Sequence, residues 1–256
     1  MMSVAIEFKN VSKKFDKANY NAVDDISFTV NEGELVTILG SSGSGKTTLL
    51  RLTNRLIDPD KGEIILFGEN IKTVDVIKVR RRIGYVIQQI GLFPHMNIKE
   101  NISVVCKLMK WEESRIDARV DELLNLVGLD PKEYKYRFPK QLSGGQQQRI
   151  GLARALAIDP KIMLLDEPFG AIDSITRLKL QDELLSIHGG LKKTFLFVTH
   201  DIEEAFKMGN RVMIMNEGKI IQFDTPENII KNPKDEFVKT LMNSAKEKTK
   251  LWEKYI

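Results

Sequence analysis

A glycine-rich segment, GSSGSGKTT from Gly40 to Thr48, contains residues whose types and spacing suit phosphate binding. It fits the pattern G-x-x-x-x-G-K-[ST], in which backbone N–H groups between a strand and a helix surround phosphate oxygens. The apolar run LVTIL precedes it and LLRLTNRL follows it, so that context is present. We expect Lys46 to reach the β- and γ-phosphates of a nucleotide, Thr47 to offer a hydroxyl to Mg²⁺, and Thr48 to lie near the α-phosphate. We call this segment the Gly-Lys loop; a loop that only turns the chain is the alternative.

Two acidic residues follow a second apolar run, in KIMLLDEP from Lys161 to Pro168. Asp166 ends the run, where its carboxylate is expected to hold Mg²⁺ through water. Glu167 follows at the exit of the strand, where it can polarise a water molecule that attacks phosphorus. Two exposed acids that merely end a strand are the alternative, but together with the Gly-Lys loop the pair predicts nucleotide hydrolysis.

Two further polar residues follow apolar runs and are candidates for the same chemistry. His200 ends TFLFVTH, where it is expected to sense a γ-phosphate, and Gln88 follows IGYVI, where its amide oxygen can face Mg²⁺ or the attacking water. A solvated loop is the alternative for Gln88. His95 and His188 are expected to be structural.

The elements that must position these residues are visible as apolar runs and helical patterns. Strand and helix alternate at both ends of the chain, which predicts an α/β fold with a mainly parallel sheet. Between about Gln89 and Pro160 helical patterns replace the strands, as expected of an inserted helical subdomain. The predicted strands are Ala5–Phe8, Ile26–Val30, Leu35–Leu39, Glu63–Phe67, Ile83–Ile87, Ile162–Leu165, Phe195–Thr199, Val212–Met215 and Lys219–Phe223. The predicted helices follow Gly45 and occupy Ile116–Val127, Gly145–Ala157, Ile175–Ile187 and Ile202–Met208.

Composition indicates a globular protein with a full-sized core. The 256 residues are 42% hydrophobic and 29% charged, and 39 basic against 35 acidic residues give a net charge of +4. That charge is too small to indicate a nucleic-acid partner. The single cysteine, Cys106, excludes an internal disulfide and fits a reducing compartment. No apolar run approaches the length of a membrane span.

A third motif, LSGGQQQR from Leu142 to Arg149, gives the chain its family resemblance. Together with the Gly-Lys loop, LLDEP and the terminal histidine of TFLFVTH, it resembles the nucleotide-binding subunit of an ABC transporter, from about Val4 to about Pro233. We call Leu142–Arg149 the signature segment. The resemblance implies a P-loop NTPase fold of the ABC ATPase type, with an antiparallel β-subdomain at the N-terminus, a helical subdomain at about 89–159, and ATP and Mg²⁺ as cofactors.

The resemblance also implies a role for each motif residue. Glu167, His200 and Gln88 match the catalytic base, switch histidine and Q-loop, and Asp173 matches the D-loop aspartate. The expected ATP-binding residues are Gly40, Ser41, Ser42, Gly43, Ser44, Gly45, Lys46, Thr47 and Thr48. The expected Mg²⁺ ligands are Thr47, Gln88 and Asp166, and the signature residues expected to face a partner's ATP are Ser143, Gly144, Gly145 and Gln146.

Two positions depart from the family pattern. The aromatic residue that stacks on adenine is expected at Phe15, but the loop FDKANYNAVDD looks longer than usual, so Tyr20 stays open. GAID, from Gly170 to Asp173, stands where many relatives have Ser-Ala-Leu-Asp. The aspartate is kept, so little effect is expected.

The resemblance implies that two copies pair head to tail on binding ATP. Ser143 is a good helix N-cap, and the two glycines after it let a phosphate approach backbone N–H groups. A capped helix without a ligand is the alternative for this segment taken alone. Each copy would then complete the nucleotide site of the other, and loss of the γ-phosphate would let the copies part.

The expected partners are separate integral-membrane permease subunits and, in the complex, an extracytoplasmic solute-binding protein. The chain is expected at the cytoplasmic face of the membrane, with no nucleic-acid partner. Leu92, Phe93, Met96 and Ile98 either line a groove for the permease or belong to the core.

The amino-acid sequence as a whole resembles those of ATPases that energise uptake of glycine betaine, carnitine or choline. An ABC ATPase of DNA repair or of the ribosome, an importer ATPase for another solute, and a Gly-loop kinase are the alternatives. The domain expected at 1–235 is followed by a short helical tail at 236–256 and no regulatory domain.

Overall fold

The computed structural model describes residues 3–16, 18–170 and 172–253. Its ten strands in these ranges are β1 (Val4–Lys14), β2 (Asn21–Asn31), β3 (Leu35–Leu39), β4 (Lys61–Leu66), β5 (Glu69–Asn70), β6 (Ile83–Val86), β7 (Ile162–Asp166), β8 (Thr194–Thr199), β9 (Arg211–Asn216) and β10 (Lys219–Asp224). The α-helices there are α1 (Lys46–Thr53), α2 (Val76–Arg81), α3 (Ile98–Leu108), α4 (Glu113–Leu126), α5 (Pro131–Tyr134), α6 (Gly144–Leu156), α7 (Ser174–Leu191), α8 (Ile202–Met208), α9 (Pro226–Lys231) and α10 (Glu236–Glu253).

The chain divides into two compact units. Unit 1 comprises Met1–Val76 and Leu196–Ile256, and unit 2 comprises Ile77–Phe195. Strand β8 begins in unit 2 and ends in unit 1. Ala171 and the last three residues of the expected C-terminal tail lie outside the described residues.

Unit 1 contains an antiparallel sheet and part of a mainly parallel one. The antiparallel sheet has the order β2-β1-β4-β5, and Phe8 of β1 opposes Phe28 of β2 with ring centroids 4.6 Å apart. In the second sheet the order is β10-β9-β3-β8, where β3 pairs with β9 in parallel and β9 forms an antiparallel hairpin with β10. Glu217 and Gly218 both have positive φ and lie between the paired residues Asn216 and Lys219, so this hairpin has a two-residue turn.

The C-terminal helix α10 belongs to the core of unit 1. It spans 18 residues, which is longer than the short tail helix expected. Val238 and Met242 are buried, in one cluster with Leu39 of β3 and Ile214 of β9. Apolar residues at i and i+4 share one helix face, so this face secures the helix to the sheet.

Unit 2 pairs β6 with β7 in parallel and adds most of the helices. All described residues between Gln89 and Pro160 are free of strands, as the sequence predicts. Helix α6 packs on α3 and α4, and Ile102 of α3, Leu123 of α4 and Ile150 of α6 are buried. In the described part of the chain, no helix is both long enough and apolar enough to cross a membrane.

Candidate nucleotide-binding site and signature segment

The Gly-Lys loop of unit 1 leaves the buried strand β3 and enters α1. The side chain of Lys46, the first residue of α1, donates from Nζ to the carbonyl oxygens of Gly40 at 2.7 Å and Ser41 at 2.8 Å. The first N–H groups of a helix have no acceptor within it, and this end of the helix dipole is positive. Positive charge is therefore concentrated around the loop, which is the environment that favours phosphate.

Neighbouring backbone fixes the shape of this loop. Gly45 has a φ of 100°, and a Cβ atom there would lie 2.3 Å from the carbonyl oxygen of Ala22. The N–H group of Gly218 donates to the carbonyl oxygen of Ser44 at 3.2 Å. Only glycine fits at position 45, because both its conformation and the space around it exclude a side chain.

Unit 1 also carries the two candidate adenine-stacking residues and His200. The side chains of Phe15 and Tyr20 are 41% and 67% exposed, so either ring is accessible and the choice between them stays open. His200 is exposed directly after β8, the strand next to β3 in the sheet. The histidine therefore follows the strand beside the one that carries the Gly-Lys loop.

Unit 2 brings Gln88, Asp166 and Glu167 together. Asp166 ends the buried strand β7 and is only 6% exposed, and the hydroxyl of Tyr85 donates to its Oδ2 at 3.3 Å. Gln88 donates from Nε2 to Oε2 of Glu167 at 3.1 Å. Glu167 has a φ of 45°, a left-handed conformation that costs a non-glycine residue energy and is common at functional sites. Two carboxylates are thus oriented by neutral hydrogen-bond donors.

The loop after Gln88 is held by an arginine of α6. Arg154 donates from Nη1 to the carbonyl oxygen of Gly91 at 2.7 Å and from Nη2 to that of Ile90 at 2.8 Å. Burial lowers the pKa of Arg154, because the guanidinium has given up water for these carbonyls. The helix that begins at the signature segment therefore also fixes the loop that carries Gln88.

The signature segment starts α6 with a capping box. Ser143 is the N-cap: its Oγ accepts from the N–H of Gln146 at 3.3 Å, and Oε1 of Gln146 accepts from the N–H of Ser143 at 2.9 Å. A Cβ atom at Gly144 would meet nothing within 4 Å, whereas one at Gly145 would lie 3.0 Å from Thr176 Cγ2. The outer side of the helix start is therefore open to a ligand at Gly144.

Asp173 lies beside the signature segment. It is the N-cap of α7 and accepts from the N–H of Thr176, the residue that Gly145 faces. Backbone and side-chain hydrogen bonds from Thr176 lower the pKa of Asp173. The carboxylate thus has a structural task in addition to any contact across a dimer.

The four apolar residues after Gln88 divide between the two roles considered. Ile98 is fully buried at the start of α3 and belongs to the core, so the groove role is wrong for it. Phe93 is 40% exposed and lines a groove of ≈ 530 Å³, whose wall also includes Leu108 of α3 and Arg154 of α6. Leu92 and Met96 are half-buried.

Tyr85 and Tyr134 contact site residues and Arg154 holds the loop after Gln88, but none of the three was identified from the sequence. The parallel register of β6 and β7 places Tyr85 opposite Leu164, two residues before Asp166. A tyrosine inside an apolar run was a signal, since a half-buried phenol needs a polar partner. Arg154 and Tyr134 belong to polar patterns with no comparable signal.

Comparison with known proteins identifies the family. The family model described as ABC transporter matches residues 23–170, and the chain belongs to this family. It is 49% identical to the choline transport ATP-binding protein OpuBA of Bacillus subtilis over 94% of this chain and 63% of the relative. It is 50% identical to the carnitine transport ATP-binding protein OpuCA of Listeria monocytogenes over 91% and 58%. The chain thus spans about three fifths of the length of these two relatives.

A shorter relative and two solved structures extend the match. The glycine betaine uptake system ATP-binding protein YehX of Escherichia coli is 47% identical over 91% of this chain and 75% of its own length. CbiO1 of Clostridium perfringens, part of an ABC transporter complex, has a TM-score of 0.82 at 27% identity, covering 90% of this chain and 92% of that one. A dimeric ATP-binding cassette in a post-hydrolysis state bound to ADP and Pi has a TM-score of 0.77 at 33% identity, covering 86% and 98%. The fold is therefore that of the ABC ATPases.

Proposed function

We propose that this chain binds and hydrolyses ATP to energise a bacterial ABC importer, with glycine betaine, carnitine or choline as the class of solute. The observation that supports hydrolysis is the hydrogen bond of 3.1 Å from Gln88 to Glu167. Glu167 directly follows the buried carboxylate Asp166. The solute class is supported by relatives at 47–50% identity whose names include choline, carnitine or glycine betaine.

ATP binding is assigned to the Gly-Lys loop, with an aromatic ring from Phe15 or Tyr20 on adenine. Lys46 already forms hydrogen bonds to two loop carbonyls, so its ammonium group is held where phosphate oxygens would meet the loop. Backbone N–H groups and one lysine together neutralise a polyphosphate without a dedicated acid–base group.

Magnesium fits the oxygen donors that the chain offers. Gln88 uses its amide nitrogen for Glu167, which leaves the amide oxygen as a ligand. Thr47 offers a hydroxyl and Asp166 a carboxylate, and the described residues hold no cluster of three or more acidic, His or Cys side chains for a metal. Mg²⁺ keeps several waters and takes phosphate oxygens as ligands, so it needs few ligands from the protein. When bound, Mg²⁺ would neutralise charge that develops on the phosphate oxygens.

Glu167 is assigned as the base for the attacking water. Its carboxylate accepts a hydrogen bond from Gln88, which orients the group, and a carboxylate can accept a proton from water. His200 is assigned as the sensor of the γ-phosphate, and Asp173 as a contact to the second copy. Ser143 and the glycines after it would bind the nucleotide of that copy, and a structural relative that is a dimeric cassette supports the pairing of two copies.

The permease is assigned to the groove of unit 2 lined by Phe93, Leu108 and Arg154. Its apolar lining suits a helix of a membrane subunit. The chain would then lie at the cytoplasmic face of the membrane, in a complex that includes a solute-binding protein outside.

Phosphate release from Mg²⁺ and ATP by the purified chain tests the hydrolysis. Glu167→Gln should abolish release and accumulate an ATP-bound dimer in light scattering, while ADP leaves it monomeric. Glu112→Gln, an exposed acid whose side chain makes no cap bond, is the matched control and should keep full release. Unchanged release by Glu167→Gln would contradict the assignment.

Uptake assays test the solute class. Cells that express the chain together with its membrane and solute-binding subunits should accumulate labelled glycine betaine, carnitine or choline. Sulfate is the comparison solute, since a sulfate/thiosulfate import ATP-binding protein of Pseudomonas aeruginosa is also 46% identical. Uptake of sulfate alone would overturn the proposed class and leave the ATPase intact.

A further inference from the structure

The side chain of Gln146 is engaged at both ends within unit 2. Its Oε1 accepts from the N–H of Ser143 at 2.9 Å, and its Nε2 donates to the hydroxyl of Tyr134 at 3.1 Å. Tyr134 is the last residue of α5, twelve positions earlier in the chain. The amide therefore links Tyr134, at the end of α5, to Ser143, which is exposed in the signature segment.

Tyr134 is itself held by charged neighbours. The guanidinium of Arg137 lies 4.8 Å from the centre of its ring, and Arg137 pairs with Glu133 at 2.7 Å. The next residue, Lys135, is buried and pairs with Asp117 and Asp121 of α4 at 2.8 Å each. Burial opposes the charge of Lys135, but hydrogen bonds to these two carboxylates raise its pKa above the ordinary value. The tyrosine thus stands on a segment anchored to α4.

We infer that Tyr134 is a positioning residue for the signature segment and that it acts through Gln146. Its hydroxyl fixes the far end of the amide, so that Oε1 stays at the N–H of Ser143. Ser143 then keeps the cap conformation in which Oγ accepts from the helix and its O–H remains a donor for a phosphate oxygen. This inference rests on the proposed function of Ser143 at a partner's nucleotide.

The same geometry divides the work of the signature residues. A glutamine amide has an oxygen acceptor and two N–H donors, and here the oxygen and one N–H have partners in the same unit. The surface is open at Gly144, so the O–H of Ser143 and the N–H groups near Gly144 are the groups most accessible to a ligand. Gln146 is thereby assigned to shaping the segment.

Tyr134→Phe removes only the hydroxyl and is the first test. In the full-length chain carrying Glu167→Gln, we expect it to weaken the ATP-dependent dimer by roughly three- to tenfold in sedimentation experiments, the effect of one neutral hydrogen bond. Affinity for ATP in the monomer should not change, and the melting temperature should fall by no more than about 2–4 °C. Tyr136→Phe is the matched control, because Tyr136 is two residues away and 67% exposed. Equal dimer affinities for the two variants would overturn the inference.

A double-mutant cycle tests whether Tyr134 acts through Gln146. Once Gln146→Leu has removed the amide, Tyr134→Phe should cause no further loss of dimer affinity. Additive losses would show that the tyrosine acts by another route and would overturn the inference.

Amide hydrogen exchange separates this inference from the proposed function. In the nucleotide-free chain the N–H of Ser143 should exchange about three- to tenfold faster in Tyr134→Phe than in Tyr136→Phe, since its bond to Gln146 is loosened. If the parent chain forms no ATP-dependent dimer, the proposed function fails, while this measurement still supports or overturns the positioning of Ser143. Equal exchange rates in both variants would overturn it.

Discussion

The two glycine-rich helix starts of this protein differ in what requires their glycines. In the Gly-Lys loop a Cβ atom at Gly45 would lie 2.3 Å from the carbonyl oxygen of Ala22, so the fold of unit 1 itself excludes a side chain. In the signature segment a Cβ atom at Gly144 would meet nothing within 4 Å. The packing of unit 2 therefore does not require that glycine, and the proposed function assigns its role to a ligand that approaches from outside.

The two segments also differ in how they are held. The charged ammonium group of Lys46 stabilises the Gly-Lys loop by donating hydrogen bonds to two carbonyl oxygens. Ser143 and Gln146, in contrast, hold the signature segment with neutral groups. A permanent charge suits a site that retains a polyphosphate. Neutral donors suit a surface that closes on the same phosphate and releases it, because desolvating them costs less than desolvating a cation.

The largest effect is expected from Glu167→Gln, a substitution that lies outside both segments and should change hydrolysis alone. Glu167→Gln removes the proposed base, so phosphate release should fall about 10²–10⁴-fold. Neither helix start is altered, hence ATP affinity and the free energy of unfolding should remain those of the parent. If ATP affinity fell as well, Glu167 would also be part of the binding site and could not serve as the reference for the other variants.

Ser143→Arg is expected to have the next largest effect. It places a bulky cation where the second nucleotide would approach, so release should fall at least about 100-fold while each copy still binds ATP. Titration with a fluorescent nucleotide and a phosphate assay measure the two properties. Ser143→Gly is the matched control, because glycine at an N-cap costs only a few tenths of a kcal/mol yet removes the hydroxyl. An intermediate loss is expected there, and full activity of Ser143→Arg would refute the shared site.

Alanine at the two glycines tests the comparison directly. Gly45→Ala should lower the free energy of unfolding by about 1–3 kcal/mol and abolish ATP binding, because the residue is strained and the loop must move. Gly144→Ala should change the free energy of unfolding by less than about 0.5 kcal/mol and leave ATP binding by the monomer intact. Its phosphate release should fall by up to about 100-fold, since the methyl group displaces the incoming phosphate.

Gly189→Ala is the control for this pair. Gly189 lies in α7 with nothing within 4 Å of an added Cβ, so alanine should be neutral or slightly stabilising and leave release unchanged. If Gly144→Ala behaved like Gly189→Ala, the open side of the signature segment would have no ligand. If Gly45→Ala were stable, the contrast between the two helix starts would be wrong.

The sequence predicted local features of both segments well and tertiary contacts poorly. Strand β3 has the bounds Leu35–Leu39 that its apolar run predicted, and Ser143 is the N-cap expected. The bond from Tyr134 to Gln146 depends on where α5 packs, which no local pattern encodes. Helix α3 was not resolved as a separate helix, although the residues NIKE at its start form a capping box that could have signalled it.

Short elements were missed for a related reason. Helices α2, α5 and α9 have six residues or fewer, too few to show a helical period. Strand β5 has only two residues, Glu69 and Asn70, and exists because β4 pairs with it. In each case the neighbouring structure determines whether the short element forms, and the local sequence contains no pattern that predicts it.

The smallest effect is expected at Asp173, where a second helix of unit 2 starts beside the signature segment. Ser143 and Gln146, which cap the start of α6, have neutral side chains that do not titrate. Asp173 caps the start of α7, and hydrogen bonds from Thr176 lower its pKa. A carboxylate with a lowered pKa contributes its full stability above the ordinary value near 3.8, and this contribution is lost as pH falls through the folded-state pKa. Stability from Asp173 should thus be constant at neutral pH and decline only in strong acid.

Asp173→Asn keeps an N-cap acceptor but cannot titrate. We expect its free energy of unfolding, from urea titrations, to match the parent at pH 7 and to depend less on pH below about 4. Asp173→Ala, which lacks the acceptor, should be less stable than both at pH 7. If Asp173→Asn were as unstable there as Asp173→Ala, charge rather than the hydrogen bond would cap α7. The starts of α6 and α7 would then be held by different forces. Neutral dipoles would hold the start of α6, and a carboxylate at the positive end of the helix would hold the start of α7.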